Sequence, residues 1–284
     1  MILVTGSTGT FGSHVAKELQ KQKINFIAGG QGSEKIKDLL GDDVKFAEFD
    51  WANPNSFKNL FDGITAVYLV SPPNSNLFPN QVVPFLQQAK QAGVKFIVLS
   101  TVFGTEANKE GSLYKAELAV QNSGIEFSIV RPNFIFQNFI NYDLGAVKSG
   151  TIYLPSGDGK TSYIDVRDVA SVVVKILINK EKHLSKIYNV TGIEAINHNT
   201  AAKIFADVLG VEIKNINPTE EDYKKTLSSY NLPDSTVDFM AMLYSFIKAG
   251  YFETITNDFE NLTGRKPILF KDFVKDYKEI FKAN

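Results

Sequence analysis

Three glycines near the start of the chain could bind the phosphates of a dinucleotide. Gly6, Gly9 and Gly12 stand three residues apart, between the apolar run "ILVT" and an amphipathic stretch. Such a turn must reverse directly after a strand, bring backbone close to a pyrophosphate and pack a helix tightly on a sheet, and each task disfavours a Cβ atom. A helix beginning near Phe11 would direct unpaired N–H groups and the positive end of its dipole at the phosphates. The predicted phosphate-binding residues are Gly6, Thr8, Gly9, Thr10, Phe11 and Gly12. A plain glycine turn is the alternative, but the strand before it and the helix after it favour a dinucleotide.

Short apolar runs alternate with helical patterns over the first 135 residues. The predicted strands are Ile2–Thr5, Asn25–Ala28, Val44–Phe49, Ala66–Val70, Phe96–Ser100 and Glu126–Val130. One of the intervening helices is expected to have Asn53 as its N-cap and Pro54 at its first position. Strand–helix alternation at this spacing indicates right-handed crossovers and a parallel sheet covered on both faces.

The pattern changes after Arg131-Pro132. A Gly- and Ser-rich stretch precedes a strand–helix unit, "TSYIDVRDVASVVVKIL", and a further strand, "KIYNVTG". From His198 the chain is mostly helical, with Gly210 predicted to end one helix and Thr219 to precede another that opens on acidic residues.

These patterns together predict an α/β fold with two parts. A Rossmann-type doubly wound parallel sheet is expected over residues 1–135, and residues 162–192 are expected to return to it. A second, smaller, mainly helical lobe is expected over residues 136–284, with a ligand in the cleft between the two parts.

Composition excludes several classes of function. The chain has 284 residues, a formal net charge of -1 and no cysteine. Disulfides, thiolate nucleophiles and Cys-ligated metals are therefore excluded, and nothing in the charge indicates a nucleic acid or a membrane surface as partner. The three histidines have no metal-ligand spacing, so no metal is expected. A strand beginning at Ile2 and the lack of an 18-residue apolar run predict a cytoplasmic protein without a membrane span.

Several segments resemble a known family. "ILVTGSTGTFGSHV" resembles the TGxxGxxG motif of extended and atypical short-chain dehydrogenases/reductases. "AELAVQNSGIEFSIVRPNFIFQNF", "YIDVRDVA" and "LTGRKPILFKDF" are similar to the NmrA-like family, which includes NAD(P)H-dependent quinone reductases and triphenylmethane reductases. The similarity covers nearly the whole chain and implies an NAD(P)-dependent oxidoreductase that acts on a small-molecule substrate, with a homodimer common among such folds.

The end of the second predicted strand bears on the choice of dinucleotide. An NAD site usually has Asp or Glu here to accept hydrogen bonds from the ribose, but this chain has "FIAGGQGSEK". Gln31 stands where the resembling reductases place an Arg for the 2′-phosphate, and Lys35 could supply the positive charge instead. We therefore predict NADP in preference to NAD. The alternative is that Lys35 is an ordinary solvated lysine.

Two further segments are expected to frame the cofactor. The resemblance implies that Asp50 and Trp51 hold the adenine, and that Val70, Ser71 and Pro72 pass the ribose of the nicotinamide half. All of them lie at the carboxyl ends of strands, where ligands of such sheets bind. An aromatic residue in a surface loop is the alternative for Trp51.

The Tyr-x-x-x-Lys pair of most short-chain dehydrogenases is missing from its usual place. In that pair the lysine lowers the tyrosine pKa so that a proton can move as hydride moves. Here Tyr114 and Lys115 are adjacent, about 100° apart around a helix. Only Tyr244 has a lysine, Lys248, four residues on, and it lies in a C-terminal amphipathic helix. The resemblance places Thr101 and Lys115 near the nicotinamide. The candidate catalytic residues are Thr101, Lys115, Asn133 and Tyr142, and Asn133 is also a candidate to contact the cofactor.

An acceptor that needs no strong acid remains compatible with hydride transfer. Quinones, azo compounds and cationic dyes take hydride in an apolar slot, and water protonates them afterwards. The segment "RPNFIFQNFINY" could build such a slot, although aromatic residues at this spacing also suit a core. The predicted slot residues are Phe134, Phe136 and Phe139, with Asn133, Asn138 and Tyr142 as orienting groups.

Three functions remain open on sequence grounds. The first is an NAD(P)H-dependent oxidoreductase with a quinone-like or dye-like acceptor. The second is an NADP-binding redox sensor that regulates a partner without turnover. The third is a nucleotide-sugar epimerase-like enzyme, against which the missing tyrosine base counts.

Overall fold

The computed structural model of the chain describes residues 1–71 and 76–282. Nine strands occur there: β1 Ile2–Val4, β2 Phe26–Gly30, β3 Phe46–Glu48, β4 Ala66–Val70, β5 Phe96–Ser100, β6 Glu126–Pro132, β7 Thr151–Tyr153, β8 Lys186–Val190 and β9 Lys214–Ile216. The α-helices of the same ranges are α1 Thr10–Lys21, α2 Ser33–Leu40, α3 Phe78–Gln91, α4 Ser112–Gln121, α5 Asn138–Asn141, α6 Leu144–Lys148, α7 Val166–Ile178, α8 His198–Leu209, α9 Glu220–Ser228, α10 Asp234–Lys248, α11 Asp258–Thr263, α12 Phe270–Asp276 and α13 Lys278–Phe281.

Seven of the strands form one parallel sheet in the order β3-β2-β1-β4-β5-β6-β8. The order reverses at β1, whose Val4 lies opposite Ala28 of β2 on one side and Tyr68 of β4 on the other. This arrangement confirms the predicted doubly wound sheet. It also opens a crevice beside the carboxyl end of β1, where such sheets bind ligands.

Alternating strand residues divide the sheet between two layers of helices. Leu3, Val67, Leu69, Ile97 and Leu99 share one buried cluster with apolar residues of α3 and α4. Since successive strand residues point to opposite faces, the intervening residues face the other layer, in which α1 packs on α7. Helices on both faces explain why the central strands β1 and β4 consist of apolar and aromatic residues throughout.

The chain divides into two compact units. The first comprises Met1–Pro132, Val166–Val190 and Glu260–Gly264. The second comprises Asn133–Asp165, Thr191–Phe259 and the described part of Arg265–Asn284. Its aromatic core includes Phe136, Phe139, Phe205, Phe270 and Phe273, and strands β7 and β9 pair in parallel within it.

Local boundaries follow the sequence signals at some helices and depart from them at others. Gly210 ends α8 in the left-handed conformation, and the Thr219 hydroxyl caps α9 by accepting the Asp222 N–H (3.1 Å), both as predicted. The helix expected after Asn53 is a single 3-10 turn, Pro54–Phe57. Its Ser56 hydroxyl donates to the Asn53 carbonyl (2.6 Å), and such local side-chain bonds compete with helix continuation. Within residues 1–71 and 76–282, no helix is long and apolar enough to cross a bilayer.

A buried ion pair joins β6 to α4 in the first unit. Arg131 donates from Nε (2.9 Å) and Nη2 (2.6 Å) to the two carboxylate oxygens of Glu117, which has no exposed surface. The third donor, Nη1, reaches Glu106 at 2.5 Å. A bidentate pair of this kind fixes both partners in one geometry, and the loss of one charge would leave the other buried and uncompensated.

We expect Glu117→Gln to lower the free energy of unfolding by about 3 kcal/mol, because the Arg131 charge would lose its buried counterion. The matched control is Glu126→Gln, which breaks the exposed Lys180–Glu126 pair (2.8 Å) of the same unit. That change should cost less than about 1 kcal/mol. Urea unfolding of both variants measures the difference, and equal losses would contradict the assignment of Glu117 as the critical partner.

Candidate dinucleotide site

The glycine turn packs the start of α1 so closely against the end of β1 that no side-chain atom fits between them at Gly12. Gly6 has φ of +61°, a conformation that favours glycine, and its carbonyl oxygen accepts the Gly9 N–H (2.8 Å). A Cβ at Gly12 would collide with the carbonyl oxygens of Gly6 and Thr5. Two of the three glycines are therefore required by the backbone itself.

The same turn leaves the start of α1 suited to an anion. The N-cap is Gly9, which is exposed and has no side chain to bond the first turn, and that turn contains no acidic residue. The first four N–H groups of a helix lack intrahelical acceptors, so this end of the dipole is available to a phosphate. Thr8 and Phe11 are half-buried beside it. A pyrophosphate fits this turn because the backbone here is open and carries no negative charge.

The ends of the neighbouring strands complete this edge of the sheet. The Ser7 N–H donates to the Gly29 carbonyl (3.2 Å), and the Val70 N–H donates to Thr5 Oγ1 (3.1 Å). The turn is thus bonded to both β2 and β4. Ser71 follows directly, whereas Pro72 lies outside the described residues.

Residues expected at the adenosine end lie after β2 and β3. Gln31 and Lys35 are exposed, with Lys35 in the first turn of α2. Asp50 accepts the Ala52 N–H through its carboxylate (2.9 Å). Trp51 lies in the turn after β3 and is half-buried, and its ring centroid lies 5.0 to 5.3 Å from those of Phe49, Phe78 and Phe85.

Thr101 and Lys115 have very different surroundings. Thr101 follows β5, is buried, and donates its hydroxyl proton to Glu117 Oε1 (2.6 Å). Its hydroxyl can therefore offer a ligand only lone pairs. Lys115 is exposed and pairs with Glu110 (3.0 Å), and Tyr114 beside it is half-buried.

The residues predicted to form the acceptor slot belong to the second unit, where three of them already hydrogen-bond or pack within the protein. The Asn133 amide donates to Ser162 Oγ (2.8 Å) and to the Phe252 carbonyl (3.0 Å). Phe136 and Phe139 are 1% and 2% exposed. These two rings therefore occupy core positions, which was the alternative interpretation of their spacing, and not a pocket wall.

Three other predicted slot residues are accessible. Phe134 is half-buried against Phe252 at a ring-centroid distance of 5.0 Å, and Asn138 is half-buried in α5. Tyr142 is 70% exposed.

A buried polar cluster in the second unit was missed by sequence reasoning. His198 Nδ1 lies 2.6 Å from Ser156 Oγ, and its Nε2 lies 3.0 Å from the Tyr163 hydroxyl. Burial lowers the pKa of His198 to about 4, so the ring is neutral at pH 7. Ser156 and His198 are both buried, which makes this pair a polar bond within the core and not a nucleophile. The 42-residue separation gave no local signal.

Comparisons with known proteins show the family of this chain. The profile of the NmrA-like family matches residues 1–273, and the chain therefore belongs to that family. The NAD(P)H azoreductase of Xenophilus azovorans is 32% identical over 290 residues, covering 100% of each chain.

Two solved structures share the fold. A triphenylmethane reductase of Citrobacter sp. superimposes with a TM-score of 0.86 at 24% identity, over 98% of this chain and 99% of that one. An Escherichia coli NADPH-dependent quinone oxidoreductase, solved with NADPH, also gives 0.86 at 21% identity, over 98% and 100%.

We expect Gly12→Ala to weaken NADPH binding at least about tenfold, or about 1.4 kcal/mol, because the new methyl would push α1 away from the turn. The control is Gly145→Ala, another helical glycine, where a Cβ would meet nothing within 4 Å. Quenching of the single tryptophan during NADPH titration measures both affinities. Equal affinities would contradict the role of the close contact at Gly12.

Proposed function

We propose that this protein is an NAD(P)H-dependent oxidoreductase that passes hydride to a quinone-like or dye-like small molecule. The observation that carries the proposal is the close approach of Gly12 to the carbonyl oxygen of Gly6. This approach places the N-terminus of α1, which has no side-chain cap, at the carboxyl edge of the sheet. The azoreductase relative, named for NAD(P)H, supports the same chemistry over the full length of the chain.

The first unit would bind the dinucleotide, and its residues would each have a limited task. The backbone of Gly9, Thr10 and Phe11 would hold the pyrophosphate, and Asp50 with Trp51 would border the adenine. Val70 and Ser71 would border the nicotinamide ribose. When bound, the reduced nicotinamide supplies a hydride. The second unit would recognise the acceptor, with Phe134, Asn138 and Tyr142 as its accessible candidates.

The preference for NADP would rest on charge after β2. Strand β2 ends in two glycines and is followed by Gln31, and residues 29–33 carry no carboxylate at the position where an NAD site usually has one. Lys35, exposed in the first turn of α2, would supply the cation.

We expect Lys35→Glu to weaken NADPH binding about tenfold and NADH binding by less than about twofold, because only NADPH carries the 2′-phosphate. Lys37→Glu is the matched control, since it makes the same charge change at an exposed lysine of the same helix. Titrations followed by tryptophan quenching give both affinities for each variant. Equal effects on the two cofactors, or equal effects of the two variants, would remove Lys35 from this role.

We do not expect any side chain of this protein to act as a general acid while the hydride is transferred. The Thr101 hydroxyl donates its proton in a hydrogen bond to Glu117. Lys115 pairs with Glu110, and the residue four positions before it is Gly111 and not a tyrosine. Tyr244, the tyrosine that does precede a lysine at that spacing, is buried, and burial raises its pKa well above 10. This combination suits an acceptor that takes its proton from water after the hydride.

We expect Tyr114→Phe to change the rate of NADPH oxidation by less than about threefold, because no tyrosine proton is needed. Removal of a true general acid costs about 10² to 10⁴ in rate. Stopped-flow or steady-state rates with a naphthoquinone measure the change. A loss in the larger range would restore the tyrosine mechanism and with it the epimerase-like alternative.

The decisive experiment compares binding with turnover in the full chain. Purified protein is mixed with NADPH and then with a naphthoquinone or an azo dye, and the loss of NADPH absorbance is followed. We expect steady consumption that Gly12→Ala reduces and Gly145→Ala preserves. Saturable binding with no consumption would instead favour a redox sensor, and absence of binding would overturn both functions.

A further inference from the structure

The segment that follows α10 is held in the second unit by its backbone. Gly250 has φ of +83° just after the helix, a conformation that favours glycine and that ends the helix there. Ser162 then bonds the segment twice. Its N–H donates to the Phe252 carbonyl (2.9 Å), and its hydroxyl donates to the Thr254 carbonyl (2.7 Å). The backbone on both sides of residue 253 is therefore fixed.

Asn133 holds the same carbonyl from the end of the sheet. It directly follows Pro132, the last residue of β6, and its amide donates to the Phe252 carbonyl (3.0 Å) and to Ser162 Oγ (2.8 Å). Asn133 is 4% exposed, and both of its amide protons are used in these bonds, so it offers a ligand no donor. Since ligands of such sheets bind at the carboxyl ends of strands, these bonds set Phe252 beside that edge.

The fixed backbone places the ring of Phe252 against the ring of Phe134. Their centroids lie 5.0 Å apart with the planes at 75°, which is the preferred edge-to-face arrangement of two aromatic rings. On its other contact Phe134 lies 6.0 Å from the ring of Tyr163, which is 4% exposed. Phe134 and Phe252 are both half-buried. The row of three rings thus begins in the core of the unit, and its last two members keep accessible surface.

We propose that Phe252 makes this protein select acceptors of two or more rings over single-ring quinones, and that Asn133 is a positioning residue that acts through Phe252. The inference rests on the proposed function, because it assigns residues to the acceptor site of the second unit. A ring whose backbone is already fixed loses little freedom when a flat molecule packs on it. The affinity gained from that contact increases with the aromatic area of the acceptor.

The first test is Phe252→Leu, which keeps an apolar side chain and removes the ring. We expect the KM for a naphthoquinone to rise about fivefold and the KM for a benzoquinone to rise less than about twofold, with kcat and NADPH affinity nearly unchanged. Phe246→Leu is the matched control, because it makes the same change at a 41% exposed ring of the same unit whose ring neighbour is Tyr251 (5.5 Å). Equal KM values for Phe252→Leu and the wild type, or equal effects of the two variants, would overturn the proposal.

Asn133→Asp tests the positioning role. Aspartate keeps an oxygen for the Phe134 N–H, which Asn133 Oδ1 accepts at 2.9 Å, and loses both donors. We expect the naphthoquinone KM to rise about threefold with kcat within about twofold, and no further rise in a chain that already carries Phe252→Leu. A residue that touched the reacting atoms would lower kcat instead, and its effect would add to that of Phe252→Leu. Ser162→Ala, which removes the bond to the Thr254 carbonyl, gives the same comparison if Asn133→Asp does not fold.

Calorimetry without turnover separates this inference from the proposed function. A naphthoquinone is titrated into the full chain in saturating NADP⁺, which carries no hydride. We expect saturable binding that Phe252→Leu weakens about fivefold and that Phe246→Leu preserves. Such binding without any consumption of NADPH would overturn the oxidoreductase function and leave the role of Phe252 in place. Consumption of NADPH with equal naphthoquinone affinity in Phe252→Leu and the wild type would keep the function and overturn this inference. Lack of naphthoquinone binding in the wild type would also overturn it.

Discussion

The structure of the first unit depends on one steric constraint, which is the lack of space for a Cβ between α1 and the end of β1. Gly12 lies against the carbonyl groups of Gly6 and Thr5, and this contact fixes both the turn and the start of the helix. Bonds from Ser7 to β2 and from Val70 to Thr5 then tie the turn to the two strands beside β1. Because the strand order reverses at β1, the uncapped end of α1 lies beside the crevice of the sheet.

A second fixed point lies at the carboxyl ends of β5 and β6. Arg131 and Glu117 neutralise each other in the core, and Glu117 also accepts a hydrogen bond from the Thr101 hydroxyl. This network fixes Thr101 directly after β5, and it directs the Thr101 hydroxyl proton at Glu117 and not at the crevice. The bonds that hold this residue in place therefore also leave its hydroxyl only lone pairs to offer a ligand. The family resemblance to reductases of quinones and dyes is consistent with such a site.

The second unit uses its aromatic residues chiefly to build a core. The Phe270 ring lies 5.2 Å from the ring of Phe136 and 5.2 Å from that of Phe139, centroid to centroid. Near Phe139, both nitrogens of the His198 ring are within hydrogen-bond distance of a hydroxyl. Phe239, Met242 and Phe246 of α10, by contrast, are 41 to 43% exposed on the side of that helix that faces away from this core.

The sequence by itself determined the parts of this protein that follow from local chemistry. Period and composition located the central strands, Gly210 and Thr219 marked helix ends, and the spacing of Gly6 to Gly12 indicated the turn, because each signal lies within a few residues. Tertiary structure decided what distant residues do. The same kind of aromatic residue is core at Phe136 and exposed at Phe246, and Ser156 meets His198 across 42 residues. Burial and long-range partners depend on how elements pack, and no local pattern encodes them.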